Sequence, residues 1–243
     1  MGAVAVYFFN SRKKTAEDSL TIEAIIHELK TPLTGLSWIF GFLSEIKPRD
    51  EVTEEMIGFI KEGRSKIGNA LDLANDALTA LNTSVDSASY KFEKNDLVAV
   101  LKRVVEENSL TAKEKSVKIS LDVHGEVQEF PFDLVKLTLA IRNVVNNAVK
   151  YNKNGGGVSI SVHEDKDRAV ISVSDTGIGI PAVDLPKMFN KFFRAKNTED
   201  NNGSGLGLFI VKNIVAGHGG EVDIQSKEGE GTKVTITLPI KHR

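Results

Sequence analysis

The sequence predicts two units of different fold class, an all-α helical hairpin followed by an α+β two-layer sandwich. In the N-terminal third, apolar residues recur at steps of three and four, the spacing of amphipathic helices packed in a bundle. Beyond about residue 90, alternating stretches typical of half-buried strands are interspersed with helical stretches. Because adjacent strands form hairpins there, we expect helices layered on one face of a mixed sheet.

The composition excludes several classes of function. The chain has 243 residues, 41% of them hydrophobic, which is ordinary for a soluble fold of one or two domains. Its formal net charge of −2 supplies no basic field, so we expect no nucleic acid partner. It has no cysteine, which excludes disulfides and thiolate metal sites.

The first 14 residues resemble a truncated upstream segment. An apolar run at residues 3–9, followed by Arg12, Lys13 and Lys14, is far shorter than the roughly 20 residues that span a bilayer. It is either the end of a transmembrane helix with cytoplasmic charges or the last strand of an upstream domain. We expect membrane contact only through such a missing segment, and a cytoplasmic location for the rest.

Residues 15–82 are expected to form two helices joined by a turn around Pro48. Each helix carries one apolar stripe, which a lone hairpin cannot bury, so we expect two copies to form a four-helix bundle in a homodimer. The stripe of the first helix comprises Ile22, Ile26, Leu29, Leu33, Leu36, Phe40 and Leu43.

His27 lies one position past this stripe, about 100° around the helix and toward solvent. Glu28 follows it, and Pro32 weakens the helix by removing the hydrogen bond to the Glu28 carbonyl, at a cost of about 3 kcal/mol. An exposed histidine beside an acid on a weakened helix indicates chemistry rather than packing.

After a small polar linker at residues 83–89, the second unit is expected to occupy residues 90–243. The patterns predict helices at 97–114, 132–151 and 206–216. They predict strands at 90–92, 117–123, 158–164, 169–174, 221–226 and 233–240.

Four motifs in this unit can carry chemistry. Asn143, Asn147 and Lys150 share one helix face, where amide oxygens suit Mg²⁺ and the lysine suits phosphate; a plain polar face is the alternative. Asp175 follows a strand, where it can accept a hydrogen bond from a base amino group, and the next glycines permit close ligand approach; an ordinary turn is the alternative.

The other two motifs are a glycine-rich segment and a candidate lid. Gly203, Gly205 and Gly207 precede a helix, which makes its N-terminus a phosphate site of neither Rossmann nor Walker type. The loop from Pro181 to the glycine-rich segment is long enough for a lid. Phenylalanines at near-helical spacing would anchor the lid or belong to the core: Phe189, Phe192 and Phe193.

In order and spacing, these motifs together resemble those of the sensor histidine kinases. Residues 27–32 are similar to the phosphoacceptor box and 143–151 to the asparagine box. Residues 175–179, 189–193 and 203–207 are similar to the first glycine, phenylalanine and second glycine boxes. The resemblance implies a dimerisation and phosphotransfer domain of HisKA type at 15–82. It implies an ATP-binding domain of Bergerat (GHKL) type at 90–243.

The resemblance also implies ATP and Mg²⁺ as cofactors. Asp175 would read the adenine amino group, Asn147 would ligate Mg²⁺, and Asn143 with Lys150 would support the phosphates. Tyr151 would pack near adenine, and Arg194 would reach the γ-phosphate. The remaining expected nucleotide contacts are Gly177, Gly179, Phe193, Gly203, Gly205, Leu206 and Gly207.

By the same resemblance, His27 would attack the γ-phosphate through Nε2 while Glu28 accepts the proton on Nδ1. The phosphoryl group would pass to an aspartate of a response regulator receiver domain, and Thr31 would orient water for the reverse, phosphatase reaction. Two other functions stay open, an ATPase of the gyrase and chaperone type and a nucleotide-sensing scaffold. Against the former, Asn143 and Arg142 stand where that class has its glutamate base.

Overall fold

A computed structural model describes residues 29–31, 33–41, 43, 54–82, 90–198 and 203–241. Our predictions for residues 1–14, His27, Glu28, the turn at Pro48 and the linker at 83–89 lie outside these residues. The chain divides into two compact units, with the main boundary between residues 81 and 82. Gly203 and Ser204 are grouped with the first unit, and the chain from Gly205 onward belongs to the second. Within the described ranges, no helix combines the length and apolar character that crossing a membrane requires.

The described residues of the first unit form two helices. The described residues between 29 and 43 are helical (α1), and α2 runs over Glu54–Asn82. A Cβ placed on Gly63 would lie 3.5 Å from Ile39, and one on Gly35 would lie 2.9 Å from Lys66. Because later positions of α1 face earlier positions of α2, the two helices run in opposite directions.

Part of the predicted stripe of α1 is buried within one chain and part is not. Leu36 and its neighbour Ile39 are buried, whereas Leu33 and Phe40 are 55% and 59% exposed. The second helix also exposes large apolar side chains, namely Ile57, Ile60, Ile67, Leu71 and Leu78.

The second unit is an α+β two-layer sandwich, as the sequence predicts. Its helices are α3 (Leu97–Glu114), α4 (Leu134–Lys150) and α5 (Gly207–Gly217). Its strands are β1 (Glu93–Asn95), β2 (Lys118–His124), β3 (Phe130–Phe132), β4 (Gly157–Asp165), β5 (Arg168–Asp175), β6 (Glu221–Lys227) and β7 (Gly231–Pro239).

The five long strands form one mixed sheet in the order β2-β4-β5-β7-β6. β2 and β4 pair in parallel, and the other neighbours pair antiparallel. Alternate residues point to opposite faces, so one face carries buried Val, Ile, Leu and Ala while the other carries mainly polar and charged residues. The three helices cover the apolar face.

Side-chain caps fix where two of the helices begin. The Asp96 carboxylate accepts a hydrogen bond from the Ala99 N–H at the start of α3. The Asp133 carboxylate accepts one from the Lys136 N–H at the start of α4. Because such caps satisfy amides that lack a partner inside the helix, α4 begins after Asp133, two residues later than the pattern predicts.

The prediction of a strand at residues 90–92 was wrong, because the strand lies at Glu93–Asn95. The rings of Tyr90 and Phe92 instead pack edge-on against buried His218, at centroid distances of 5.0 and 5.4 Å. The sequence patterns did not predict β3, the strand that pairs with β1.

The described part of the expected lid is a loop with little regular structure. The described part between Pro181 and Thr198 contains two 3₁₀ turns, Leu185–Lys187 and Lys196–Thr198. Its phenylalanines are half-buried rather than core residues, and their role as anchors of a lid stays a prediction: Phe189, Phe192 and Phe193.

Candidate functional site

Two asparagines of α4 lie beside the first residue of α5. The apolar face of α4 packs on the sheet, which leaves Asn143 and Asn147 half-buried one turn apart. A Cβ on Gly207 would lie 3.7 Å from Asn143 Oδ1 and 3.8 Å from Asn147 Nδ2. The fold therefore brings the asparagine motif and the glycine-rich helix start together, as the sequence predicts.

The region where Asn143 and Asn147 meet the start of α5 can accept an anionic ligand. Asn143 Nδ2 is buried and has no acceptor among the described residues, although such donors are normally paired. Leu206, the N-cap of α5, has no side chain that could cap the helix. The first amides of α5 and its helix dipole therefore create a potential there that favours anions. Leu206 itself is fully buried and anchors the helix start in the core.

Asp175 is the last residue of β5, and its carboxylate is held from one side. Oδ1 accepts hydrogen bonds from the Gly177 N–H at 2.8 Å and from the Thr232 N–H at 3.2 Å. Neither bond uses Oδ2. Burial raises the pKa of this carboxyl, and the two backbone hydrogen bonds oppose the rise.

The end of α4 meets the turn that follows Asp175. The Tyr151 carbonyl accepts a hydrogen bond from the Ile178 N–H at 3.1 Å. A Cβ on Gly177 would overlap that carbonyl and lie 2.8 Å from Asp175 Oδ1, so the turn requires glycine there. Burial raises the pKa of Tyr151, whereas the positive charge of Arg194 acts in the opposite direction. The Lys150 ammonium lies 5.4 Å from the Tyr151 ring centroid.

Gly179 and Gly205 have left-handed φ values of +65° and +68°. A Cβ on Gly205 would lie 2.6 Å from the carbonyl carbon of Phe192, and one on Gly179 would overlap the Lys227 carbonyl. Both glycines are therefore required by conformation as well as by space. The loop residue Gly203, two positions before Gly205, has no regular secondary structure.

Arg194 lies in the described part of the loop that precedes the second glycine box. Its guanidinium donates a hydrogen bond to the Thr198 carbonyl. The Asn197 amide donates to the Gly179 carbonyl at 3.0 Å, and the Lys196 N–H donates to buried Asp184 at 3.1 Å. Phe193 lies 5.9 Å from the Lys187 ammonium. Contact of Arg194 with a phosphate stays a prediction.

Three polar residues at this site were not among the predicted site residues. Asn152, Thr176 and Asn197 hydrogen-bond across different elements of the unit. Thr176 lies inside the predicted motif and Asn152 directly follows Tyr151, so their positions were a usable signal.

Of the three predicted catalytic residues of the first unit, only Thr31 lies among the described residues, where it is helical and exposed. His27 and Glu28 lie outside the described residues. Thr31 belongs to the first unit, whereas Asn143, Asn147 and Asp175 belong to the second.

Residues 132–242 match the family described as histidine kinase-, DNA gyrase B- and HSP90-like ATPase. The structure of the mycobacterial sensor histidine kinase MprB is 30% identical, with a TM-score of 0.53, and the match covers 61% of this chain and 97% of that one. The chain belongs to the sensor histidine kinase family.

Another relative is the sensor histidine kinase WalK of Bacillus subtilis, 32% identical over 99% of this chain. The present chain spans only 40% of the length of WalK. The histidine kinase ThkA, solved with the response regulator protein TrrA, shares the fold with a TM-score of 0.74 at 19% identity. That match covers 95% of this chain and 64% of ThkA.

Proposed function

We propose that the chain is an ATP-dependent protein histidine kinase that phosphorylates His27 and passes the phosphoryl group to an aspartate of a response regulator. The proposal rests on the contacts that the polar side of α4 makes with two other segments of the unit. Asn143 and Asn147 meet the start of α5 at one end, and the end of α4 meets the Asp175 turn at the other. One end suits phosphates and the other suits a base.

The residues at the phosphate end fit ATP with Mg²⁺. An Asn side-chain oxygen is a hard ligand of the kind Mg²⁺ takes together with substrate phosphates, and we assign this role to Asn147. The buried Asn143 Nδ2 is a donor whose acceptor a phosphate oxygen would supply. Bound Mg²⁺ would supply neutralisation of the charge on the transferred phosphoryl group. Lys150 and the amides of Gly205 and Gly207 would add positive potential.

At the base end, Asp175 Oδ2 would accept a hydrogen bond from the adenine amino group, and Tyr151 would pack beside the base. Gly177 and Gly179 allow the backbone to approach the nucleotide closely. Phe193 and Arg194 would cover the nucleotide from the loop, with Arg194 reaching the γ-phosphate.

In the transfer step, the lone pair of His27 Nε2 would form a bond to the γ-phosphorus while the bond to the β,γ-bridging oxygen breaks and ADP leaves. Glu28 would accept the Nδ1 proton, which orients the ring and offsets the positive charge that develops on it. The ordinary pKa of imidazole, near 6.5, keeps much of it neutral at cellular pH.

The partner of the phosphorylated protein would be a receiver domain. ThkA, which shares this fold, was solved with the response regulator TrrA. The exposure of Thr31 also favours a second activity, dephosphorylation of the receiver through a water that the hydroxyl orients.

Incubation with γ-labelled ATP tests the proposed function. We expect the protein to retain label that is labile in acid and stable in alkali, as a phosphoramidate is, and His27→Ala to retain none. Steady phosphate release without label would instead indicate an ATPase of the gyrase and chaperone type. Neither label nor release would indicate a scaffold.

ATP affinity is expected to fall as the solution is acidified. Burial raises the Asp175 pKa, so acidification protonates this acceptor at a higher pH than an ordinary Asp. Titration with ATP from neutral to acidic pH should show affinity lost as the pH falls through the raised pKa, which lies above the ordinary value of about 4 for Asp. Asp175→Asn should lack that phase; the same pH profile in both proteins would contradict the assignment.

A homodimer through the first unit is expected from its exposed apolar residues. Leu71 and Leu78 of α2 are both 59% exposed in one chain, as is Phe40 of α1. A charge at Leu71 would therefore oppose pairing, and Leu71→Glu should shift the mass measured by light scattering from dimer toward monomer. Leu110→Glu, at a 69% exposed site of the second unit, is the control that should leave the mass unchanged.

A further inference from the structure

The side chain of Asn152, just beyond the end of α4, uses both halves of its amide. Nδ2 donates to the carbonyls of Ala148 and Gly157 at 3.1 and 3.0 Å. Oδ1 accepts from the Lys153 N–H at 2.9 Å and from the Thr176 hydroxyl at 3.3 Å. Because the nitrogen faces two acceptors and the oxygen two donors, the contacts fix the orientation of the amide.

Thr176 closes this network from the other side. Its hydroxyl accepts a hydrogen bond from the Gly157 N–H at 2.9 Å and donates to Asn152 Oδ1. Its own N–H donates to the Gly157 carbonyl at 3.1 Å. A Cβ on Gly156 would overlap Asn152 and lie 2.8 Å from the Thr176 hydroxyl, so the ring of hydrogen bonds is closely packed.

The network joins three elements at the base end of the site. Asn152 follows α4, Gly157 begins β4, and Thr176 follows β5. Thr176 stands between Asp175 and Gly177, whose N–H bonds the carboxylate. Fixing Thr176 therefore fixes the backbone from which the carboxylate projects and one of the two donors that orient it.

We propose that Asn152 and Thr176 are positioning residues that aim the Asp175 carboxylate at the adenine amino group. The inference rests on the proposed function, since it concerns the base end of the same ATP site. The phosphate end stands on Asn143, Asn147 and the start of α5, none of which bonds to this network in the described structure. Loss of the network should therefore affect the base and not the phosphates.

The test compares Thr176→Val with Thr176→Ser in the full chain. Valine keeps the shape and removes the hydroxyl at an exposed position, whereas serine keeps the hydroxyl. Affinities are measured for ATP and for inorganic tripolyphosphate, both with Mg²⁺. Thr176→Val should lower the affinity for ATP about tenfold and leave that for tripolyphosphate unchanged, because a lost hydrogen bond misplaces only the base acceptor. Thr176→Ser should restore ATP affinity.

Thr237→Val is the matched control, because it makes the same exchange on the open face of the sheet in β7, away from the network. It should bind both ligands as the unchanged protein does. Asn152→Ala should weaken ATP binding in the same selective way. Combined with Asp175→Asn, it should add little further loss, because both act on one contact.

Two results would overturn the inference. One is undiminished ATP affinity in Thr176→Val, and the other is an equal loss for ATP and tripolyphosphate, which general loosening would cause. Failure of the unchanged protein to bind ATP would be a different result, since it overturns the proposed function itself.

Discussion

Replacing Asp175 with Asn is expected to weaken ATP binding by roughly 10- to 100-fold, the range for a hydrogen bond that involves a charged group. The Asn oxygen can keep the hydrogen bonds from the Gly177 and Thr232 amides, both of which use Oδ1. The Asn nitrogen then replaces Oδ2 and presents a donor to the amino group of adenine. Two donors repel, so the loss should exceed that of a missing contact.

The same exchange should change the preferred base. Guanine and hypoxanthine carry a carbonyl acceptor where adenine has its amino group, so Asp175→Asn should bind their triphosphates better than the unchanged protein does. Calorimetric titration with the three triphosphates measures the order. Asp165→Asn, at an exposed position in the β4–β5 hairpin, is the control that should leave it unaltered. A uniform loss for all three would contradict the assignment of Asp175 to the base.

Unfolding should not explain the loss. A carboxyl whose pKa is raised in the folded state favours folding at low pH, and this contribution disappears as the pH rises through the folded pKa. The pKa of Asp175 is raised by burial, so its charge opposes folding at neutral pH. The Tm of Asp175→Asn at neutral pH should therefore equal or exceed that of the unchanged protein.

Asn147→Ala is expected to reduce the rate of His27 phosphorylation by a factor on the order of 100 to 1,000, the range for loss of one group that stabilises transition-state charge. The change removes the assigned Mg²⁺ ligand, whose side chain lies beside Gly207 at the start of α5. Labelling time courses at saturating ATP measure the rate, and raised Mg²⁺ should recover part of it.

The neighbouring Asn146 provides a matched control. It occupies the previous position of the same helix and is exposed, whereas Asn147 is half-buried beside α5. Asn146→Ala should phosphorylate His27 at the rate of the unchanged protein. Equal rates for Asn146→Ala and Asn147→Ala would remove the basis for placing the metal at Asn147.

Local patterns predicted much of the fold. α3 has the predicted bounds, Leu97–Glu114, because a capping Asp precedes a regular apolar stripe. β3 was missed because it has three residues with Pro131 at its centre, and its pairing with β1 joins segments far apart in the chain. Residues 90–92 alternate like a strand, but their aromatic rings pack on His218, which no local pattern specifies.

The candidate site was predictable to a similar extent. Asn143, Asn147 and Asp175 could be selected because their spacing and their place at element ends are properties of the local sequence. The hydrogen bonds from the Thr176 hydroxyl to Asn152 and from the Asn197 amide to Gly179 could not, because they join separate elements that only the tertiary fold brings together.

The position of the phosphoryl group after reaction with ATP and Mg²⁺ tests the central claim most directly. Fragmentation mass spectrometry under neutral or alkaline conditions, which preserve phosphohistidine, would locate it. The proposed function predicts one phosphoryl group on His27, present in Asn146→Ala and nearly absent in Asn147→Ala after the same short reaction. Phosphate on another residue, or unmodified protein with accumulating ADP, would contradict it.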